Sequence, residues 1–330
     1  MVESDGIHLG ERFSVSFLRT LRIPDDGRTY PLPPGLGRFP LLKVEDYRDR
    51  VPEIWRKHGG VFLPMYQREA LWLGFHAASW KPNAVKISLG GVNAISGEPD
   101  NDELHLDPQN YFVCPEQPWL DGIRIGRGAI RQFVAMPLGQ GYSIEAAMTG
   151  AEVLGGMRIV AFEPNPGVFP DSPPVETRPS GGRVYSLKQH VQEMGIGAGG
   201  VMTQKIYADP YGLAVWDQRN YGQVWVHIVN SWSFHELTGM PPPPTPIDPQ
   251  AYTQHGLPWF TLYDEKKREI AAPGGFTEVR TITARDTELG KGNGSDDSVE
   301  VSETQVKKLS LADTPATPTR ASRTKRRRKS

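Results

Sequence analysis

The chain of 330 residues exceeds a typical domain of about 100 to 200 residues, yet stays within reach of a single large β or mixed domain. Its apolar residues, 38% of the total with 35 Gly left out of that figure, suffice for a sizeable core, and eight Trp, eleven Tyr and twelve Phe exclude a wholly disordered chain. The net charge of −1 conceals 11 Lys or Arg against 7 Asp or Glu over 285–330 and 26 against 31 in the remainder, so the body is no strongly basic nucleic-acid platform and only the tail is suited to nucleic acid.

The first regular signal is Phe13, Val15, Phe17, Leu21 and Ile23 alternating with Ser14, Ser16, Thr20 and Arg22, the pattern of a half-buried strand. PDDG at 24–27 is turn chemistry, and TYPLPPGLGRFPL after it has too much Pro and Gly for a central strand, which makes it an extended edge or loop. The spacing of Val44, Tyr47, Val51 and Trp55 predicts a short helix interrupted at Pro52. A second helix is expected from Tyr66 to His76, with Leu71, Trp72 and Phe75 on adjoining faces. Strands are expected at 84–89, 111–114, 128–137, 142–149 and 157–162, although 144–148 suits a helix equally.

Six prolines in EPNPGVFPDSPPVETRPSGG, 163–182, read as a connector and as a candidate division between two lobes. A helix at 186–194 is then expected, with GIGAGG at 195–200 as its stop and loop, followed by strands at 201–207 and 223–230. The last is apolar on both faces and belongs at the centre of a sheet. SWSFHELTG reads as a helix, PPPPTP as an extended tether and PWFTLYDE as a last packed segment. Beyond 284 aromatic residues cease, so 1–284 is expected to be the folded body and 285–330 a disordered tail with a basic end. The fold class is β-rich, all-β or α+β: an antiparallel sandwich-like body with several short helices.

The strings LRIPDDGRTYPLPPGLGRFPL, FLPMYQREALWLGF, IRQFVAMPLGQGYSIEAAMTG and DPYGLAVWD resemble a family of uncharacterised proteins over roughly residues 12–282. The resemblance implies that the body is one inherited unit and the tail an addition. It brings no activity and no catalytic residues.

His105 and Asp107, with a distant His227, match the two-His-one-carboxylate pattern that holds Fe(II) on one face and leaves positions open for oxygen. A three-residue motif has little specificity, and the competing reading puts His105 in an exposed polar loop and His227 inside a sheet. Cys114 is a candidate nucleophile only if a base lies beside it; as a free Cys within YFVCP it reads as a small buried hydrophobe. GIGAGG lacks the strand-to-helix context of a phosphate loop. The carboxylates Asp100, Asp102, Glu103, Asp107 and Glu116 evoke a glycosidase or cation site, against solvated turns.

Trp80, Trp119, Trp216 and Trp259 lie near Pro, Gly or Asp, where a ring either faces a ligand or packs beneath a loop. Arg124, Arg127 and Arg131, three and four apart, suit an anionic ligand or stand as separate surface charges. The run Lys325, Arg326, Arg327, Arg328 and Lys329 fits nuclear import, with Thr314, Thr317 and Ser322 placed to carry phosphate nearby.

A binding or structural-interaction protein for an unknown small molecule or protein is the preferred expectation, and a metal-dependent, oxygenase-like enzyme using His105, Asp107 and His227 the alternative. The motifs assign no cofactor. One cysteine, no secretory pattern at the N-terminus and no stretch near 18 apolar residues lead to the expectation of a soluble cytoplasmic or nuclear protein, not secreted and without a membrane span.

Overall fold

A computed structural model describes residues 2–3, 6–10, 12–172, 193–262, 267–270, 276, 279–291 and 297–309. Ten strands build the frame: β1 (Gly6–Leu9), β2 (Phe13–Thr20), β3 (Val61–Met65), β4 (Ala70–His76), β5 (Asn83–Leu89), β6 (Phe112–Cys114), β7 (Ala129–Pro137), β8 (Met157–Pro164), β9 (Glu193–Thr203) and β10 (Trp216–Asn230). Hydrogen-bonded neighbours run in the order β1, β2, β4, β7, β9, β10, β8, β5, β6, and every pair in that series is antiparallel. β3 adds a parallel partner to β10. Short helices accompany them: α1 (Glu53–His58), α2 (Ile144–Thr149), α3 (Ser231–Thr238), α4 (Pro249–Gln254) and α5 (Ile282–Glu288). Among the described residues no helix is long and apolar enough to cross a membrane.

The sheet folds over on itself, because side chains from distant members of the series share one core. The ring of Phe75 in β4 lies 4.8 Å from that of Phe112 in β6, and one cluster joins Phe13, Leu73 and Phe133 to Ile87, Ile159 and Val226. The alternation read in β2 places Phe13, Val15 and Phe17 in this interior. The outer faces are covered as well. Trp55 of α1 and Phe234 of α3 pack on Phe62 and Val229, while Leu104 and Tyr111 cover Val160 and Phe162. Two buried faces explain why β5 is buried at all seven positions, its polar Asn83, Lys86 and Ser88 included.

The helix expected at 66–76 is a strand. Tyr66–Glu69 form a turn, closed by the amide of Glu69 donating to the carbonyl of Tyr66, and β4 then pairs with β2 on one edge and β7 on the other. Ladder bonds on both edges and burial of Leu71 and Leu73 outweigh the helical preference of the local residues.

GIGAGG is likewise no helix stop but the middle of β9. Its glycines answer to crowding: a Cβ on Gly199 would lie 2.6 Å from Cγ2 of Val134, and one on Gly200 would run into the carbonyl oxygen of Pro24. Of the helix expected at 186–194, Glu193 and Met194 belong to β9 and the rest lies outside the described residues. Around 163–182, β8 before and β9 after both belong to the one sheet and the same core. The helix alternative at 144–148 is the one adopted, with Ser143 as N-cap accepting from the amide of Ala146.

The boundary expected at 285 falls inside a docked helix. Ile282 of α5 is fully buried, and the carboxylate of Asp286 accepts from Arg68 Nη2 at 2.5 Å and from the Tyr142 hydroxyl at 2.6 Å. Further on, Val299 is buried, and Val306–Leu309 lies parallel to Trp259–Leu262. Sequence composition misses this docking because the contacts are few and lie far apart along the chain.

Candidate functional site

The sequence candidates disperse. His227 sits on β10, its ring stacked on Trp55 at 4.8 Å and its Nε2 3.0 Å from the carbonyl oxygen of Gly59. Burial there holds its pKa down at about 4, so the imidazole is neutral. His105 stands in the loop over β5 and β8, half-buried, with Nε2 3.8 Å from Glu103. Asp107 is exposed. The three do not converge, and among the described residues no group of three or more His, Cys, Asp or Glu could hold a metal ion.

Elemental analysis of the purified protein is expected to find transition metal well below one per chain. His105→Ala is expected to shift stability by less than about 0.5 kcal/mol. Stoichiometric metal, lost in both His105→Ala and Asp107→Ala, would restore the triad.

The acidic run is a pinned loop. Lys86 Nζ, almost fully buried, donates to the carbonyls of Asn101 and Glu103 at 2.6 and 2.8 Å and to Asn101 Oδ1 at 2.9 Å. Arg158 donates to Asp100 at 2.9 Å and to Asp102 at 2.5 Å. Loss of hydration lowers the Lys86 pKa although Asp100 opposes it. These carboxylates are counter-ions to cations beneath them.

Arg124 is buried and donates to the carbonyl of Ile270 at 2.8 Å, with Glu269 4.0 Å away. Exposed Arg127 reaches the same Glu269 at 3.8 Å, while Arg131 pairs with Asp25 at 3.1 Å. Two arginines share one carboxylate and the third has another, which leaves no common fork for an anion.

The tryptophans take the packing reading. Trp119 and Trp259 lie in one buried cluster with Ile130 and Met202, and the indole of Trp216 donates to Asp209 at 2.9 Å. The ring of Trp80 lies under the guanidinium of Arg12, 5.7 Å from its centroid. Cys114 is fully buried, which pushes its thiol well above the usual range; it donates to the carbonyl of Gln117 and is a poor nucleophile. The run Lys325–Lys329 and the hydroxyls Thr314, Thr317 and Ser322 lie outside the described residues.

What the fold does assemble is a cleft that no motif announces. Thr29 and Tyr30 lie parallel to Val201 and Met202 at the end of β9, and Leu32 exchanges both backbone hydrogen bonds with Phe260, at 2.8 and 3.0 Å. Between these segments opens a cavity of about 450 Å³ lined by Thr29, Leu32, Thr203, Gln204, Phe260 and Val306, with Tyr30, Pro31, Lys205 and Thr261 completing it.

Gln204 ties this wall to the interior. Its Oε1 accepts from the amide of Asp121 at 3.0 Å and its Nε2 donates to Asp121 Oδ2 at 2.9 Å. Burial pushes Asp121 up to about 7, against the opposing bonds from Trp119 and Gln204. A carboxyl that titrates near neutrality therefore stands one residue behind the cleft. The walls combine Leu32, Phe260 and Val306 with the hydroxyls of Thr29, Thr203 and Thr261, a lining that suits a ligand with an apolar body and hydrogen-bonding groups. The sequence reading reaches three of these segments but assigns Val306 to a disordered tail, and all four must meet before the cleft exists. Set against protein-family models, curated proteins and solved structures, the chain matches none.

Proposed function

We propose that the protein binds a small amphipathic molecule in the cleft between Thr29–Leu32, Thr203–Lys205, Phe260–Thr261 and Val306. The observation that carries this reading is the cleft itself: its volume of about 450 Å³ falls among cavities that hold small ligands, roughly 300 to 1,000 Å³. Its apolar walls supply the attraction and its hydroxyls fix orientation. The single buried Cys114 supports residence in a reducing compartment, the cytoplasm or nucleus.

A thermal-shift screen of a few hundred amphipathic fragments tests the reading, run in parallel on the native protein and on Thr203→Trp. Thr203 is exposed at the cleft mouth, so an indole there fills the space with little cost to the core. Ligands are expected to raise the melting temperature of the native protein and leave the variant unmoved. Equal shifts in both proteins, or none in either, would refute the cleft as the binding site.

A further inference from the structure

Between α3 and α4 the chain reads Met-Pro-Pro-Pro-Pro-Thr-Pro-Ile over residues 240–247. Proline fixes φ near −65°, and each residue preceding a proline is driven toward β or polyproline II geometry, so the sequence restricts Met240, Pro241, Pro242, Pro243 and Thr245 to the extended geometry of a polyproline II helix. The cis peptide bonds of the described residues lie elsewhere, before Pro108 and Pro115. The segment carries neither helix nor strand.

The body grips this segment by its carbonyls. Arg19 Nη2 donates to the Pro244 oxygen at 2.6 Å, the Tyr66 hydroxyl to the Pro243 oxygen at 2.9 Å, and the His235 ring lies 3.0 Å from the Met240 oxygen. Arg19 is itself fixed by Glu69, its Nε donating to a nearly fully buried carboxylate at 2.6 Å. These anchors hold a fixed edge outward. Pro242 and Pro243 are half-buried, whereas Pro241 and the run from Pro244 through Thr245 and Pro246 are exposed, as is Ile247 at 49%.

Three residues per turn place positions 241, 244 and 247 along one edge of a polyproline II helix. That edge is the spacing read by grooves that recognise a proline, two intervening residues and a second proline. Beside it stands Trp232 on α3, 75% exposed, its ring 6.3 Å from that of Tyr66 and edge-on to it. A large aromatic left in water next to a rigid proline edge extends the apolar surface offered to a partner.

We propose that Met240–Ile247 is a docking ridge for a partner domain that reads polyproline II through a groove lined by aromatic rings. The ridge is already ordered by the body, so such a partner meets a ligand that loses little conformational freedom on binding.

The test titrates the full chain against a panel of immobilised WW and SH3 domains, with the free peptide 240–248 in parallel. At least one domain is expected to bind the full chain, and the double variant Pro241→Ala, Pro244→Ala to bind about tenfold or more weakly. The unfolding midpoint of each variant is read alongside; if the double variant melts early, the single variants carry the comparison. Undiminished binding by the variants overturns the proposal. So does a panel in which no domain binds the full chain: binding confined to the free peptide would make the segment a strap sealed against the body, and binding by neither would leave it unread.

Discussion

A chain truncated after Ala284 is expected to lose about 3 kcal/mol or more of unfolding free energy, and Asp286→Ala in the full chain to lose a comparable amount. Asp286 is nearly fully buried, and its carboxylate accepts from Arg68 and Tyr142. Burial alone would raise its pKa, but the bonds from Arg68 and Tyr142 outweigh that and hold it below the usual range. Removing one member of such a pair strands the other, at a cost of roughly 3 to 5 kcal/mol. Arg68 keeps some contact with water, which favours the lower end. The loss is a large fraction of the roughly 5 to 15 kcal/mol that stabilises a typical domain. Urea denaturation of the three proteins provides the measurement. Glu288→Ala, on the exposed side of the same helix, is the control and is expected to stay within about 0.5 kcal/mol. Unchanged stability after truncation would return the region beyond 284 to the unattached tail read from composition.

Stability is also expected to depend on pH through two buried groups of opposite effect. His227 titrates at about 4 in the fold against 6.5 for the free group. The unfolded chain takes up its proton first, so the stability it contributes is complete above about pH 6.5 and is lost as pH falls through 4. Asp121 titrates at about 7 against 3.8. Here the native state holds the proton longer, so its stabilising effect is complete below about 4 and is lost as pH rises through 7. Each limb amounts to roughly 3 to 4 kcal/mol, and between pH 4 and 6.5 they oppose one another. Wild-type protein is therefore expected to show a shallow profile from these two groups. Asp121→Asn should leave the histidine limb, with stability climbing about 3 kcal/mol from pH 4 to 6.5, and His227→Gln should leave a decline toward pH 7. Parallel profiles for wild type and both variants would show that neither group titrates as its burial implies.

Legibility from sequence followed the number of chain segments a feature requires. The strand Phe13–Thr20 needs one interior and one outer face, and its alternation shows both. The buried strand that holds His227 is visible in sequence because Val224, Val226 and Ile228 alternate with residues that are themselves mostly apolar. Ala70–His76 resembles a helix in sequence because Leu71, Trp72 and Phe75 also fit a helical face, and only pairing with two other strands decides between the periods. The glycines of β9 look like a helix stop in sequence because the atoms that crowd them, in Pro24 and Val134, are far away in the chain. The cleft has no local signature, since Leu32, Thr203, Phe260 and Val306 are ordinary residues until four distant segments meet.

The parallel pairing of Val61–Met65 with Val226–Asn230 has a consequence in time. A ribosome adding about 5 to 20 residues per second needs on the order of ten seconds or more to travel from the first of these segments to the second. During that interval the early strand lacks the neighbour that defines its edge, and β8 awaits the same partner. Folding dominated by such distant pairings is slow, and open strand edges invite pairing with other chains. The nascent chain is thus most vulnerable to aggregation until the segment Trp216–Asn230 emerges, and slowing its synthesis upstream of that point would prolong the exposure.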